Sequence, residues 1–211
     1  MQSAQEPQNT EKRQNETAES QAAALLRQLQ PHFLFNALNA IQHFCAGNPR
    51  AQELVLDFSH YLRGNMASLT EPGPIPFTQE LKHLRYYLNI QAVRYPNVRV
   101  SLDPEAADFS LPALSLQPLV ESAIRRSAAG PAESSIVRIS SREGTREFTV
   151  CVEDGGPVCV SAAETGPETP SPEISDLRSR LAAMCGGRLE TEIRPGAGTK
   201  NTIYIPKEAQ Q

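Results

Sequence analysis

Tryptophan is absent from this sequence of 211 residues, and no apolar run approaches the roughly 20 residues that a membrane-spanning helix requires. The first 16 residues are too polar for a signal peptide. The four cysteines form no CxxC pair, which favours reduced thiols over a disulfide framework or a zinc site. What remains is a chain with 39% hydrophobic residues, enough to build the core of one larger or two small domains.

An excess of basic residues is also lacking. The chain has 20 basic and 24 acidic side chains, which gives a net charge of -4 at pH 7. A protein that binds nucleic acid usually carries a basic stripe that neutralises phosphates, so we expect no nucleic-acid partner. Proline, by contrast, is abundant, with 17 residues, seven of which lie in the two segments 72–76 and 157–172.

The N-terminal third is predicted to be helical. Residues 1–20 are polar and predict a disordered tail. In residues 21–70, apolar side chains recur every three or four positions on both sides of a Gly47-Asn48-Pro49 turn, which is the pattern of a helical hairpin. The wide apolar face of the first helix needs a partner, either the next helix or a second subunit. Residues 71–77 are rich in proline and indicate a stiff connector.

Residues 78–207 are predicted to form a second domain, followed by a short tail at 208–211. Thr78 is predicted to cap a helix that ends near residue 95, and a second helix is predicted over 112–128. Alternating patterns predict a strand at 98–102, a hairpin around residues 143–145, and a closing pair at 188–194 and 201–205. A low-complexity segment at 161–172 predicts a mobile loop, and a helix over 173–185 follows it. The predicted fold class is α+β, with helices on one side of a mixed or antiparallel sheet.

One polar stripe interrupts the apolar first helix. His32, Asn36, Asn39 and His43 follow one another at spacings of four, three and four residues, so they share one helix face. A neutral imidazole can act as a nucleophile in phosphoryl transfer near pH 7. A histidine on a helix is nevertheless more often a structural or surface residue than a catalytic one, so the spacing alone leaves both interpretations open.

The segment 31–41 resembles the phosphoacceptor box of the Lyt-type sensor histidine kinases, also called internal-region histidine kinases. The matching residues are Pro31, His32, Phe33, Leu34, Phe35, Asn36, Leu38, Asn39 and Ile41. This resemblance implies that His32 is the residue phosphorylated from ATP. It also implies a homodimer, in which the helical hairpins of two subunits form a four-helix bundle.

The resemblance continues to about residue 206 and implies a Bergerat-type ATP-binding domain, an α/β sandwich shared with gyrase and Hsp90-like ATPases. It places Asp154 and Gly156 at the adenine and adds Gly198 and Thr199 to the ATP-binding residues. A carboxylate suits adenine because it accepts a hydrogen bond from the exocyclic amine. The resemblance also implies that Glu121 serves as a base or as a metal partner.

Several residues depart from the family pattern, and four of them concern ATP and Mg²⁺. Ser122 replaces the asparagine that ligates Mg²⁺ and would be a weak substitute, and Val158 replaces a glycine of the adenine loop. Ser171 and Glu173 replace glycines of the phosphate lid, and Glu173 adds negative charge. Two hypotheses therefore differ in whether the chain uses ATP and Mg²⁺. One is a histidine kinase core that phosphorylates His32; the other is a degenerate kinase that acts as a dimeric regulatory or scaffold module.

The same resemblance implies a response-regulator receiver domain as the partner of the kinase. We expect the chain in the cytoplasm, either as a protein of its own or as the cytoplasmic part of a membrane-anchored sensor kinase.

Overall fold

The computed structural model describes residues 31–70, 73–130, 136–155, 171–194 and 197–210, with the side chains of 31–33, 69 and 70 excepted. The predicted N-terminal tail, the start of the first helix and most of the predicted mobile loop lie outside these residues. The chain divides into two compact units, one up to Leu56 and one from Asp57 to Gln211. Among the described residues, every helix is too short or too polar to cross a membrane.

The first unit contains helix α1 (Pro31–Phe44) and the beginning of helix α2 (Pro49–Thr70). Gly47 makes the turn between them with a φ of +103°, a conformation that favours glycine. The side-chain oxygen of Asn48 then accepts a hydrogen bond from the Ala51 backbone N–H at 3.1 Å, which caps α2. The predicted helical hairpin is confirmed together with its turn residues.

The second unit is built on a mixed five-stranded sheet. Its strands are β2 (Arg99–Pro104), β4 (Ile136–Glu143), β5 (Glu147–Asp154), β6 (Arg188–Arg194) and β7 (Gly198–Pro206), in the order β2-β4-β5-β7-β6. Only the β2–β4 pair is parallel; the other neighbours are antiparallel. A two-stranded ribbon pairs β1 (Pro74–Pro76) with β3 (Ser110–Pro112). The helices are α3 (Phe77–Arg94), α4 (Gln117–Ala129) and α5 (Pro172–Cys185), and a 3-10 turn covers Lys207–Gln210.

The core lies between the sheet and the helices. Every second residue of β5 is buried, namely Phe148, Val150 and Val152, because side chains alternate between the two faces of a strand. Leu119, Val120, Ala123 and Ile124 of α4 and Leu177 and Leu181 of α5 are buried in the same core. This arrangement is the predicted α+β fold, and the hairpin β4–β5, the helix over 172–185 and the closing pair β6–β7 are confirmed with it.

The proline-rich connector differs from its prediction. Pro74–Pro76 forms strand β1 and not only a stiff link, because the short ribbon is an edge position where proline is tolerated. The strand leads directly into α3, whose first residue, Phe77, donates its backbone N–H to the carbonyl oxygen of Phe109 at 2.8 Å. Thr78 was predicted to cap this helix, and that prediction is wrong: the cap position is Pro76, with no side-chain hydrogen bond.

The helix predicted over 112–128 also begins later than expected. Pro112 belongs to strand β3, and α4 begins at Gln117 after a turn at residues 113–116. Within this turn Leu114 has a φ of +59°, which a branched side chain rarely adopts. The turn therefore depends on contacts from the surrounding elements, which are described below.

Candidate functional site

Asp154 is the last residue of β5 and continues its line of buried positions. Because Phe148, Val150 and Val152 face the helices, the period of two directs the Asp154 side chain to the same side, at the end of the strand. The side chain is fully buried, with 0% of its surface exposed. A buried carboxylate requires hydrogen-bond or ionic partners, and two neighbouring elements, β7 and α4, provide them.

Strand β7 supports Asp154 from one side. The backbone N–H of Thr199 points to Asp154 Oδ1 at 3.4 Å. Gly198 has a φ of +86°, and a Cβ at this position would overlap the carbonyl oxygen of Asp154. Glycine is therefore required at residue 198 both by its backbone conformation and by the close approach of β5.

Helix α4 supports Asp154 from the other side through Arg126. Arg126 donates from Nε (3.1 Å) and Nη2 (2.7 Å) to Asp154 Oδ2, and from Nη1 to Ser122 Oγ at 2.6 Å. Ser122 and Arg126 are four residues apart, so they lie on the same face of the helix. We refer to Ser122, Arg126 and Asp154 as the arginine bridge.

The arginine bridge affects whether adenine and Mg²⁺, the two groups that the resemblance implies, fit this site. A buried carboxylate beside Gly198 and Thr199 fits a ligand with an N–H donor, such as the amine of adenine. The predicted Mg²⁺ position does not fit, because the Ser122 hydroxyl accepts a hydrogen bond from a guanidinium cation. No cluster of three or more histidine, cysteine or acidic residues occurs among the described residues either.

Glu121, the predicted base, lies beside the arginine bridge but is directed outward. Its side chain is 43% exposed and pairs with Arg125 Nη1 at 3.5 Å across one helical turn. An exposed pair of this kind contributes little to stability. The structure therefore leaves the Glu121 carboxylate accessible to solvent.

The predicted phosphate-lid residues lie at the start of α5. Ser171 precedes the helix and Glu173 is in its first turn. A hydrogen bond from the Ser171 side chain lowers the pKa of Glu173, so this carboxylate is ionised at neutral pH. Negative charge here complements the helix dipole, but it also opposes a phosphate at the same N-terminus.

Three predicted site residues lie wholly or partly outside what is described. Gly156 and Val158 fall within residues 156–170, and His32 is the second residue of α1, where only the backbone is described. The structure thus brings together Ser122, Asp154, Gly198 and Thr199.

Three side chains that support this region were not among the predicted site residues: Arg126, Glu80 and Arg180. Glu80 is buried and accepts hydrogen bonds from the Leu114 and Leu116 backbone N–H groups, each at 2.9 Å. Arg180 of α5 donates to the Ala113 carbonyl oxygen at 2.6 Å. A detectable signal existed for Glu80 alone, because it is a charged residue on the buried face of α3 with Phe77, Leu81 and Leu84.

Burial raises the pKa of Glu80, although the hydrogen bonds from Leu116 and Leu114 and the charge of Arg180 act in the opposite direction. These contacts fix the unusual turn at 113–116 from two sides. Since α4 begins immediately after this turn, Glu80 and Arg180 also fix the start of the helix that carries Ser122 and Arg126.

Comparison with known proteins shows a similarity to histidine kinases. Residues 20–99 match the family model described as Histidine kinase. The chain is 29% identical over 199 residues to the putative uncharacterized protein YwpD of Bacillus subtilis, covering 90% of this chain and 72% of YwpD. It is 33% identical over 207 residues to the sensor protein LytS of Enterococcus faecalis, covering 92% of this chain and 35% of LytS.

The chain thus spans about a third of the length of the LytS proteins that it matches, 35% in Enterococcus faecalis and 34% in Bacillus anthracis. Among solved structures, the catalytic domain of histidine kinase ThkA is 21% identical, with a TM-score of 0.47, covering 65% of this chain and 97% of that domain. By the family match over residues 20–99 and by its relatives, the chain is similar to histidine kinases, and in particular to sensor proteins of the LytS type.

Proposed function

We propose that the chain is the kinase core of a two-component system, in which ATP bound by the second unit phosphorylates His32. The phosphoryl group then passes to an aspartate in the receiver domain of a response regulator. The observation that supports this most is the position of Asp154, a fully buried carboxylate at the end of β5 beside Gly198 and Thr199. A family of ATP-dependent kinases requires a base-recognising group, and this carboxylate has the appropriate chemistry.

In the proposed reaction, a ring nitrogen of His32 attacks the γ-phosphorus of ATP. A phosphorus–nitrogen bond forms as the bond to the β-phosphate oxygen breaks, and ADP leaves. Asp154 holds the base, and Glu121, accessible at the surface of α4, accepts the imidazole proton. Magnesium receives no role at Ser122, because that hydroxyl is bound to Arg126.

We propose a homodimer formed through the N-terminal helical hairpin. On α1, Ile41 is 49% exposed and Phe44 is 90% exposed, three residues apart on one side of the helix. Exposed apolar side chains of this size at helical spacing are typical of a surface that a partner covers. A second copy of the hairpin would bury both residues in a four-helix bundle.

Labelling with ATP tests the transfer step. The purified chain, incubated with γ-labelled ATP and magnesium, should acquire label that is stable in alkali and labile in acid, as expected for phosphohistidine. His32→Gln should abolish this label. His43→Gln is the matched control on the same helix and should retain it. Acid-stable label, or label that survives His32→Gln, would refute the assignment of His32.

A second function is favoured by the arginine bridge. Because Arg126 engages both Asp154 and Ser122, the chain could instead be a degenerate kinase that dimerises and regulates or scaffolds its partner. A double variant, Ser122→Asn with Glu173→Gly, distinguishes the two functions. An unlabelled wild type combined with a labelled double variant would support the degenerate kinase; a labelled wild type would exclude it.

A further inference from the structure

We propose that Arg126 controls which purine base the nucleotide site accepts, because it holds the carboxylate of Asp154 in an ion pair. This inference rests on the proposed function, in which Asp154 is the base-recognising residue. While Arg126 is paired with Asp154, the site shows little preference for the amine of adenine over a carbonyl group at the same position of the base.

The geometry of the arginine bridge supports this proposal. Arg126 places two donors, Nε and Nη2, on the same carboxylate oxygen, Asp154 Oδ2, at 3.1 and 2.7 Å. A carboxylate oxygen offers two lone pairs, so these donors account for the acceptor capacity of Oδ2. A third donor binds Ser122 one helical turn earlier, which fixes the orientation of the guanidinium plane.

The environment makes this pair stronger than an ordinary surface ion pair. The Arg126 side chain is 26% exposed and that of Asp154 is 0% exposed, so water and salt compete weakly for either charge. Hydrogen bonds between two ionised groups are shorter and about twice as strong as neutral ones. An incoming adenine amine, which is a neutral donor, must therefore displace a charged donor from Oδ2 or share Oδ1 with the Thr199 backbone N–H.

Competition between Arg126 and the nucleotide base for Asp154 determines which base fits the site. The amine of adenine needs an acceptor, and Oδ2 already accepts two bonds from Arg126. The carbonyl oxygen of hypoxanthine needs a donor, and a guanidinium can supply one by turning from the carboxylate. Arg126 thus weakens selection for adenine and improves the fit of a 6-oxopurine.

Arg125 provides a matched comparison on the same helix. It has the same charge, but its side chain is 63% exposed and its partner is Glu121 at 3.5 Å. A change at residue 125 removes one positive charge near the site and leaves the Asp154 ion pair intact. Loss of positive charge should therefore affect triphosphate binding in both the residue 125 and the residue 126 variants, whereas only the residue 126 variant should change the preference between bases.

The test compares ATP with inosine triphosphate, which carries the same phosphates but a carbonyl group in place of the amine. Dissociation constants are measured by calorimetry on the full chain. The wild type should bind the two nucleotides within about twofold of each other. Arg126→Met should shift the ratio toward ATP by about tenfold, the value that corresponds to roughly 1.4 kcal/mol for one recovered hydrogen bond to a charged group.

Two further variants make the result specific. Arg125→Met should leave the ratio within about twofold of the wild-type value. Arg126→Lys keeps the charge but not the forked geometry, and should shift the ratio less than Arg126→Met does. Arg126→Met leaves Asp154 buried and unpaired, so this variant can fail to fold. In that case the ratio of the two dissociation constants is compared between the wild type and Arg126→Lys, and a shift toward ATP supports the inference.

Several outcomes would overturn the inference. A wild type that already prefers ATP by tenfold or more would contradict it, as would an unchanged ratio in Arg126→Met. If no folded variant binds either nucleotide, both this inference and the proposed kinase function fail. If the ratio shifts as expected but His32 is never labelled, the role of Arg126 stands and only the proposed transfer to His32 fails.

Discussion

Replacement of Glu80 by alanine is expected to destabilise the second unit through the turn that leads into α4. Glu80 is 2% exposed, and its two carboxylate oxygens accept one backbone N–H each, from Leu114 and Leu116. Alanine would leave the buried N–H of Leu116 and the half-buried N–H of Leu114 without these acceptors. The Leu114 residue, held at a φ of +59°, would at the same time lose the contact that favours this conformation.

The expected magnitude follows from the number of lost acceptors. Each buried donor left unsatisfied costs about 1–3 kcal/mol, so Glu80→Ala should lower the free energy of unfolding by about 2–6 kcal/mol. Glu80→Gln keeps one acceptor oxygen and should cost about 1–3 kcal/mol. For a unit of this size, each kcal/mol corresponds to about 2–4 °C in melting temperature.

Urea unfolding followed by circular dichroism measures these differences. Gln79→Ala is the control, because Gln79 is an exposed neighbour on the same helix and should change stability by no more than about 0.5 kcal/mol. If Glu80→Ala unfolds within about 0.5 kcal/mol of the wild type, the carboxylate does not hold the turn and the reasoning fails.

The pH dependence of stability provides a second test of the role of Glu80. Burial raises the pKa of Glu80 above its ordinary value of 4.5, so the folded state binds this proton more tightly than the unfolded state does. Its contribution to stability is therefore fully present below about pH 4.5 and is lost as pH rises through the folded pKa. The advantage of the wild type over Glu80→Gln should accordingly grow as pH is lowered from 8 toward 5. An advantage that shrinks over this range would contradict the sign of the shift.

Three more predictions concern a glycine, a cap and the proposed dimer. Gly198→Ala should cost at least about 2 kcal/mol in urea unfolding, since a positive φ and an atomic overlap combine, whereas Gly186→Ala, which has φ +59° and open space, should cost about 1 kcal/mol. Asn48→Ala should lower the stability of the helical hairpin by about 1 kcal/mol in the same assay, because the cap of α2 is lost. Phe44→Lys should convert the dimer to a monomer in light scattering; a dimer of unchanged stability would refute the proposed interface.

Local sequence patterns were sufficient for most of the fold. The turn at Gly47 and Asn48 and the alternation in β5 each depend on nearby residues, and both were predicted correctly. The ribbon between β1 and β3 was not, because Pro74 and Pro112 come together only through tertiary contacts. The late start of α4 has the same origin: local propensity favours a helix from Pro112, but Glu80, 36 residues before Leu116, stabilises a turn instead.

The resemblance implies a set of candidate residues for the site but not the interactions between them. The resemblance points to Asp154, Ser122, Gly198 and Thr199, whereas Arg126 was not among the predicted site residues. Its pairing with Asp154 spans 28 residues of sequence and depends on how α4 lies over the end of β5, which no spacing rule encodes.

Retention of a motif residue does not establish that its chemistry is available. Asp154 keeps the carboxylate that an adenine site needs, yet the hydrogen-bonding state of that carboxylate is set by a residue on another element. Ser122 stands where the resemblance implies a magnesium-binding asparagine, and its hydroxyl accepts the third guanidinium donor of Arg126 at 2.6 Å. A cation from the protein therefore engages both positions that the resemblance assigns to the nucleotide and its metal.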